Sequence, residues 1–132
     1  MPGLLNNLGN SFQSCFERTG DLSDISDAIS YLQKAVHLTP EEHANMPSLL
    51  NNLGNSYQSR FKRTGDLVDI SDAIFHKQKA VHLTPESHAN MPRQLNNLGN
   101  SFQSRFKCTG DLSDISDAIS NKQKAEIGRA HV

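Results

Sequence analysis

Three aspartates recur at fixed offsets, as Asp21, Asp24 and Asp27, then Asp66, Asp69 and Asp72, then Asp111, Asp114 and Asp117. Carboxylates so spaced can serve acid–base or calcium chemistry. A calcium loop needs a glycine turn and a terminal glutamate, and neither is present here. Three acids in the first turns of a helix instead complement the positive end of its dipole. His37 and His43 return as His82 and His88. Each pair straddles a proline with no helical H-x-x-x-H spacing and no nearby cysteine, so no metal site is expected. Cys15 stands where other copies have Arg60 and Arg105, and Cys108 where they have Arg18 and Arg63. No recurring base accompanies either thiol, and both read as incidental substitutions rather than nucleophiles. The single glycine of LGNS lies inside a helical stripe, which excludes a phosphate loop. No enzyme activity and no cofactor are expected from these residues.

The side chains that remain are amides. Asn6, Asn7, Asn10 and Gln13 have copies at Asn51, Asn52, Asn55 and Gln58 and at Asn96, Asn97, Asn100 and Gln103. Asparagine is a poor helix former, so this many inside helices cost stability and call for a return. They can form hydrogen-bonded ladders between neighbouring units, or line a groove where each amide offers a peptide backbone both a donor and an acceptor. Arg60 and Arg105 could add a preference for acidic ligand side chains, against the simpler reading of a solvated face.

The elements that carry these residues follow from an internal repeat. MP-x-x-LNNLGNS-[FY]-QS begins at Met1, Met46 and Met91, a period of 45 residues. In the second unit Leu50, Leu53, Gly54, Tyr57 and Phe61 fall at spacings of three and four, which predicts a first helix over roughly Pro47 to Arg63. Ile70, Ala73, Ile74, Lys77, Ala80 and Val81 form a second stripe ending at Leu83, with Pro85 as its stop. Between the two, Gly65 suits a helix C-cap and Asp66 the next N-cap. The column of Ser23 becomes Val68 while the aspartate columns persist, which favours aspartate as the cap. Two such helices cannot bury their stripes alone, so hairpins must stack and share a core. The predicted fold is all-α, an α-solenoid of about six helices in units 1–45, 46–90 and an incomplete 91–125. Gly9, Gly54 and Gly99, with Ala28, Ala73, Ala118, Ala35, Ala80 and Ala125, supply small residues where helices cross.

The pattern L-x-x-LG-x-x-[FY], followed by A-x-x-x-[LK]-x-x-A and a later proline, resembles the tetratricopeptide repeat. Leu50, Leu53, Gly54 and Tyr57 match the first-helix motif of that family, with leucine for its usual tryptophan; Ala73, Ala80 and Pro85 match the second. Lys77 departs from a column that is usually aromatic, although Leu32 is apolar there. The long period is similar to kinesin-light-chain-type repeats, and the stretch RTGDL-x-DI to KAV-x-LTP to fungal arrays. The resemblance implies a right-handed superhelix whose first helices line a concave groove. Asn6, Asn10, Gln13, Asn51, Asn55, Gln58, Asn96, Asn100 and Gln103 would then face a bound peptide or partner domain, with Arg60 and Arg105 beside them. It also implies a second role, as the sensor part of a larger signalling protein bearing a CHAT or NTPase domain. A third reading, independent of the resemblance, is structural spacing or self-association, because exposed stacking faces at a cut array can pair with another copy.

Composition narrows the partners. The 132 residues carry 13 Lys and Arg against 14 Asp and Glu, a balance that steers toward neither nucleic acid nor an anionic membrane. No run approaches a membrane span, the first residues lack a signal-peptide build, and two cysteines make no disulfide framework, so a cytoplasmic location is expected. Met1 shares the column of internal Met46 and Met91, which predicts that the array extends upstream. After Ala125 the pattern changes abruptly to EIGRAHV. GAG ATC GGA AGA GCA CAC GTC encodes that tail and resembles a common sequencing-library adapter, so Glu126 to Val132 are read as a read-through artefact and given no functional weight.

Overall fold

A computed structural model describes residues 1–130, with side chains through Gly128. Six helices follow one another: α1 Pro2–Thr19, α2 Leu22–Leu38, α3 Met46–Thr64, α4 Leu67–Leu83, α5 Met91–Thr109 and α6 Leu112–Ala130. They pack as hairpins α1/α2, α3/α4 and α5/α6, and α2 against α3 and α4 against α5 join the hairpins into an all-α solenoid. The first helix of the second unit thus begins one residue before the expected Pro47 and ends one after Arg63. α6 runs past Ala125 to Ala130, so the first five residues of the off-pattern tail continue its helix. No described helix is long and apolar enough to cross a membrane.

The same turn builds every hairpin. Gly20, Gly65 and Gly110 close α1, α3 and α5 at φ of 71°, 75° and 71°, a left-handed conformation open to glycine at little cost. Each glycine N–H donates to the carbonyl of Phe16, Phe61 or Phe106 at 2.7 Å. Asp21, Asp66 and Asp111 then accept at 3.0 Å from the backbone N–H two residues on, which starts the next helix. The capping residue is aspartate, and Val68 takes the place of serine without loss of that bond. At the far end Thr39 and Thr84, both buried, donate to the carbonyls of Ala35 and Ala80 ahead of Pro40 and Pro85. His43 and His88 accept at Nδ1 from the backbone N–H of Asn45 and Asn90, which orders the loop into the following unit. Two of the recurring histidine columns are therefore split between a loop tie at His43 and His88 and exposed positions at His37 and His82.

One apolar core runs through all three hairpins, from Phe16, Ile25 and Leu32 through Leu53, Tyr57 and Ile70 to Leu98, Phe102 and Ala118. Met46, Leu50 and Ala80 with Val36, and Met91, Leu95 and Ala125 with Val81, extend it at the two joins. The interior glycines mark the closest crossings. A Cβ on Gly54 would lie 2.8 Å from Lys77 Cγ and 3.2 Å from the Ala73 carbonyl oxygen. On Gly9 it would meet Leu32 Cγ at 2.6 Å, so the same column does the same work in another unit.

Candidate functional site

The first helices of successive units, α1, α3 and α5, are tied side by side through their amide columns. Gln13 donates from Nε2 to Ser59 Oγ at 2.9 Å and accepts from Ser56 Oγ at 2.7 Å. Asn52 donates to Asn6 Oδ1 at 3.2 Å across the same join. At the next join Ser101 Oγ donates to Gln58 Oε1 at 2.7 Å, and at the last unit Lys122 donates to Gln103 Oε1 at 2.8 Å. Gln13, Gln58, Gln103 and Asn6 thus spend hydrogen-bonding capacity within the array. Such bonds hold neighbouring helices in register, since an unmade bond at a half-buried amide is costly.

Asn10, Asn55 and Asn100 differ. They recur one unit apart on α1, α3 and α5, are exposed, and their side chains make no hydrogen bond to a described residue. Asn51 and Asn96 are half-buried and equally without a side-chain partner. An open, polar cleft of about 340 Å³ is lined by Asn55 and Gln58 of α3, Asn97 and Asn100 of α5, Lys62, and Lys77 of α4, with Gln13 and Glu17 at its α1 edge. It offers unpaired amide donors and acceptors between an exposed lysine and an exposed glutamate.

Arg60 and Arg105 are engaged within the array. Arg60 forks onto Asp69 at 3.0 and 2.9 Å and reaches Ser26 Oγ of the preceding unit at 3.3 Å. Arg105 repeats this on Asp114 at 2.9 and 2.8 Å and on Ser71 at 3.3 Å. The hydrogen bonds donated to Asp69 or Asp114 raise each guanidinium further above its ordinary value, so both stay charged and committed. The middle aspartate column accordingly does more than complement a helix dipole: Asp69 and Asp114 are buried acceptors of an arginine fork. In the first unit Cys15 removes the arginine, and Asp24 takes a hydrogen bond from Thr19 Oγ1 at 3.3 Å instead.

Lys77 is the residue that motif spacing did not single out as part of the site. Only 2% exposed, it lays its stem over Gly54 and passes between α3 and α4 to end among the amides. Its ammonium donates to Gln58 Oε1 and to Ser101 Oγ, the latter at 2.9 Å. Burial, with the nearby charge of Lys62, pushes its pKa down to about 8. The one signal in the sequence was a lysine in a stripe column held by Leu32 in the first unit. A serine 2.9 Å from such a lysine has the spacing of a nucleophile and its base. Ser101, however, is fully buried and donates its own proton to Gln58, so no substrate can reach it. Among the described residues no three His, Cys, Asp or Glu side chains converge to hold a metal ion. No protein-family model matches the chain, and a search of curated proteins finds no similar sequence.

Proposed function

We propose that the chain is a tetratricopeptide-like protein-interaction module that holds an extended peptide, or an extended segment of a partner protein, across α1, α3 and α5. The observation that carries this reading is the row of exposed, unpartnered amides Asn10, Asn55 and Asn100, one per unit. Such a row matches the needs of a peptide backbone, which presents both donors and acceptors that must be met when water is displaced. The neighbouring glutamines and serines hold the three helices in register, so the amides are positioned before a ligand arrives. The repeated LNNLGNS motif and its likeness to tetratricopeptide repeats support the same use of the first helices.

The test begins by selecting binders from a displayed library of unstructured peptides on the full chain. Affinity for a selected peptide is then compared between the chain and its Asn10→Ala, Asn55→Ala, Asn100→Ala triple variant. We expect at least about a tenfold loss in affinity, which corresponds to about 1.4 kcal/mol spread over three contacts, with helicity by circular dichroism unchanged. Unchanged affinity in a folded triple variant would remove this row from the site.

A further inference from the structure

Two departures from the repeat meet in one place. The column of Leu4 and Leu49 holds Gln94 in the third unit, and the column of Ser87 holds Glu42 in the first. Both residues line a cleft of about 380 Å³ between the α2–α3 and α4–α5 connections, walled by Pro47, Leu83 and Pro85. Gln94 is only 6% exposed, and its Oε1 is closed to water and meets no hydrogen-bond donor among the described residues. A buried acceptor without a donor is costly, and the corresponding cleft one unit earlier avoids that cost because Leu49 lines it there. Much of the remaining polar lining is already engaged. Thr84 donates to the Ala80 carbonyl, His43 and His88 accept from the backbone N–H of Asn45 and Asn90, and Glu41 pairs with Lys79 at 3.3 Å. Glu42 is exposed and has no partner among the described residues. The cleft therefore combines apolar walls, a dry orphan acceptor and an uncompensated carboxylate at its rim.

We propose that this cleft takes an arginine side chain of a partner protein, whose guanidinium donates to Gln94 Oε1 and to the Glu42 carboxylate. The orphan oxygen calls for an N–H donor, the carboxylate for a cation, and the proline and leucine walls for a methylene stem. A guanidinium spreads five N–H groups in a planar fork and so serves two acceptors from different elements at once; it is also more weakly hydrated than an ammonium and enters a half-apolar cleft more readily. The last torsion of a glutamine is soft, which lets Oε1 turn toward a donor that has displaced water from the cleft. The cleft one unit earlier is lined by neither Gln94 nor Glu42 and is expected not to take this ligand. The site shares no residue with the Asn10, Asn55 and Asn100 row, so either reading can fail without the other.

Titration of the full chain with n-butylguanidinium, followed by heteronuclear NMR, tests this, because the side-chain amide signal of Gln94 reports on the cleft directly. Saturable shifts are expected at that signal and at nearby backbone amides, with a Kd of about 1–10 mM for so small a ligand. Gln94→Leu and Glu42→Ser each install the residue that the same column holds in another unit, so both are expected to fold, which circular dichroism checks. Gln94→Leu is expected to weaken binding at least about tenfold while raising the denaturation midpoint, since it removes the orphan acceptor. Glu42→Ser is expected to weaken it about threefold, as for an exposed charge. n-Butylurea keeps the stem and the N–H donors without the charge, and is expected to bind at least about threefold more weakly than the guanidinium. The proposal is overturned if n-butylguanidinium gives no saturable shift at the cleft, or if folded Gln94→Leu binds it as tightly as the wild type. Equal binding of n-butylurea would overturn arginine as the occupant.

Discussion

Lys77 shows how one substitution in a stripe changes the chemistry of a surface. In the first unit the column holds Leu32, fully buried over Gly9. In the second, the lysine keeps the apolar contact with its stem and delivers an amine to Gln58 and Ser101. Its lowered pKa has a definite consequence for stability. Between about pH 8 and the ordinary lysine value of 10.5 the unfolded chain binds the proton that the folded chain has lost, so stability rises with pH in that window. Tyr57 works in the opposite direction above pH 10, because burial raises its pKa and the unfolded chain ionises first. Denaturant titrations of the wild type from about pH 7.5 to 9.5 are therefore expected to show a gain of up to about 2 kcal/mol. Lys77→Leu, which copies the first unit, should flatten that slope. A slope that survives the substitution would assign it to another group.

The hairpin is the element in which local and tertiary demands meet. A glycine inside an exposed helix costs about 1 kcal/mol relative to alanine, so on propensity alone Gly54→Ala should stabilise α3. The crossing reverses the sign. The added methyl would press on Lys77 Cγ and on the carbonyl of Ala73, and the backbone oxygen cannot step aside without moving α4. Thermal or denaturant unfolding of Gly54→Ala is expected to show a net loss of about 1–2 kcal/mol, whereas an increase in stability would mean that α3 and α4 cross less closely. The turn between these helices obeys local rules more completely. A left-handed glycine, an aspartate cap and the threonine hydroxyl bonded between them recur with nearly the same distances at residues 64–68 and 109–113.

Across the whole molecule, stability depends on neighbours. The central hairpin α3/α4 is packed on both sides, by α2 and by α5, while each outer hairpin is packed on one side. In an array of near-identical units the intrinsic terms are similar, so the interfacial terms decide which unit opens first. Hydrogen exchange at low protein concentration is expected to protect the amides of α3 and α4 most, with α1 and α6 opening at lower free energy. Equal protection in all six helices would indicate a single cooperative unit. The ion pairs Arg60–Asp69 and Arg105–Asp114 add to this directionality, since each arginine also reaches a serine of the preceding hairpin. The first hairpin has no such link through Cys15.

Periodicity, capping residues and the 45-residue repeat were enough to place six helices and the hairpin turns, because these depend on spacings within one unit that any solution must satisfy. The aspartate caps at Asp21 and Asp66 and the close packing at Gly54 were legible for the same reason. The allocation of the polar columns was not. Asn10, Asn55 and Asn100 share a residue type with Asn6 and Asn52, yet the former are exposed and unbonded while the latter bond each other across a join. Arg60 reads as a surface cation until α4 brings Asp69 beneath it, and Lys77 as a misfit until α5 brings Ser101 to its amine. Each outcome depends on which neighbouring helix, of the same hairpin or the next, lies within about 3 Å of a side chain, a hydrogen-bond distance set by tertiary packing.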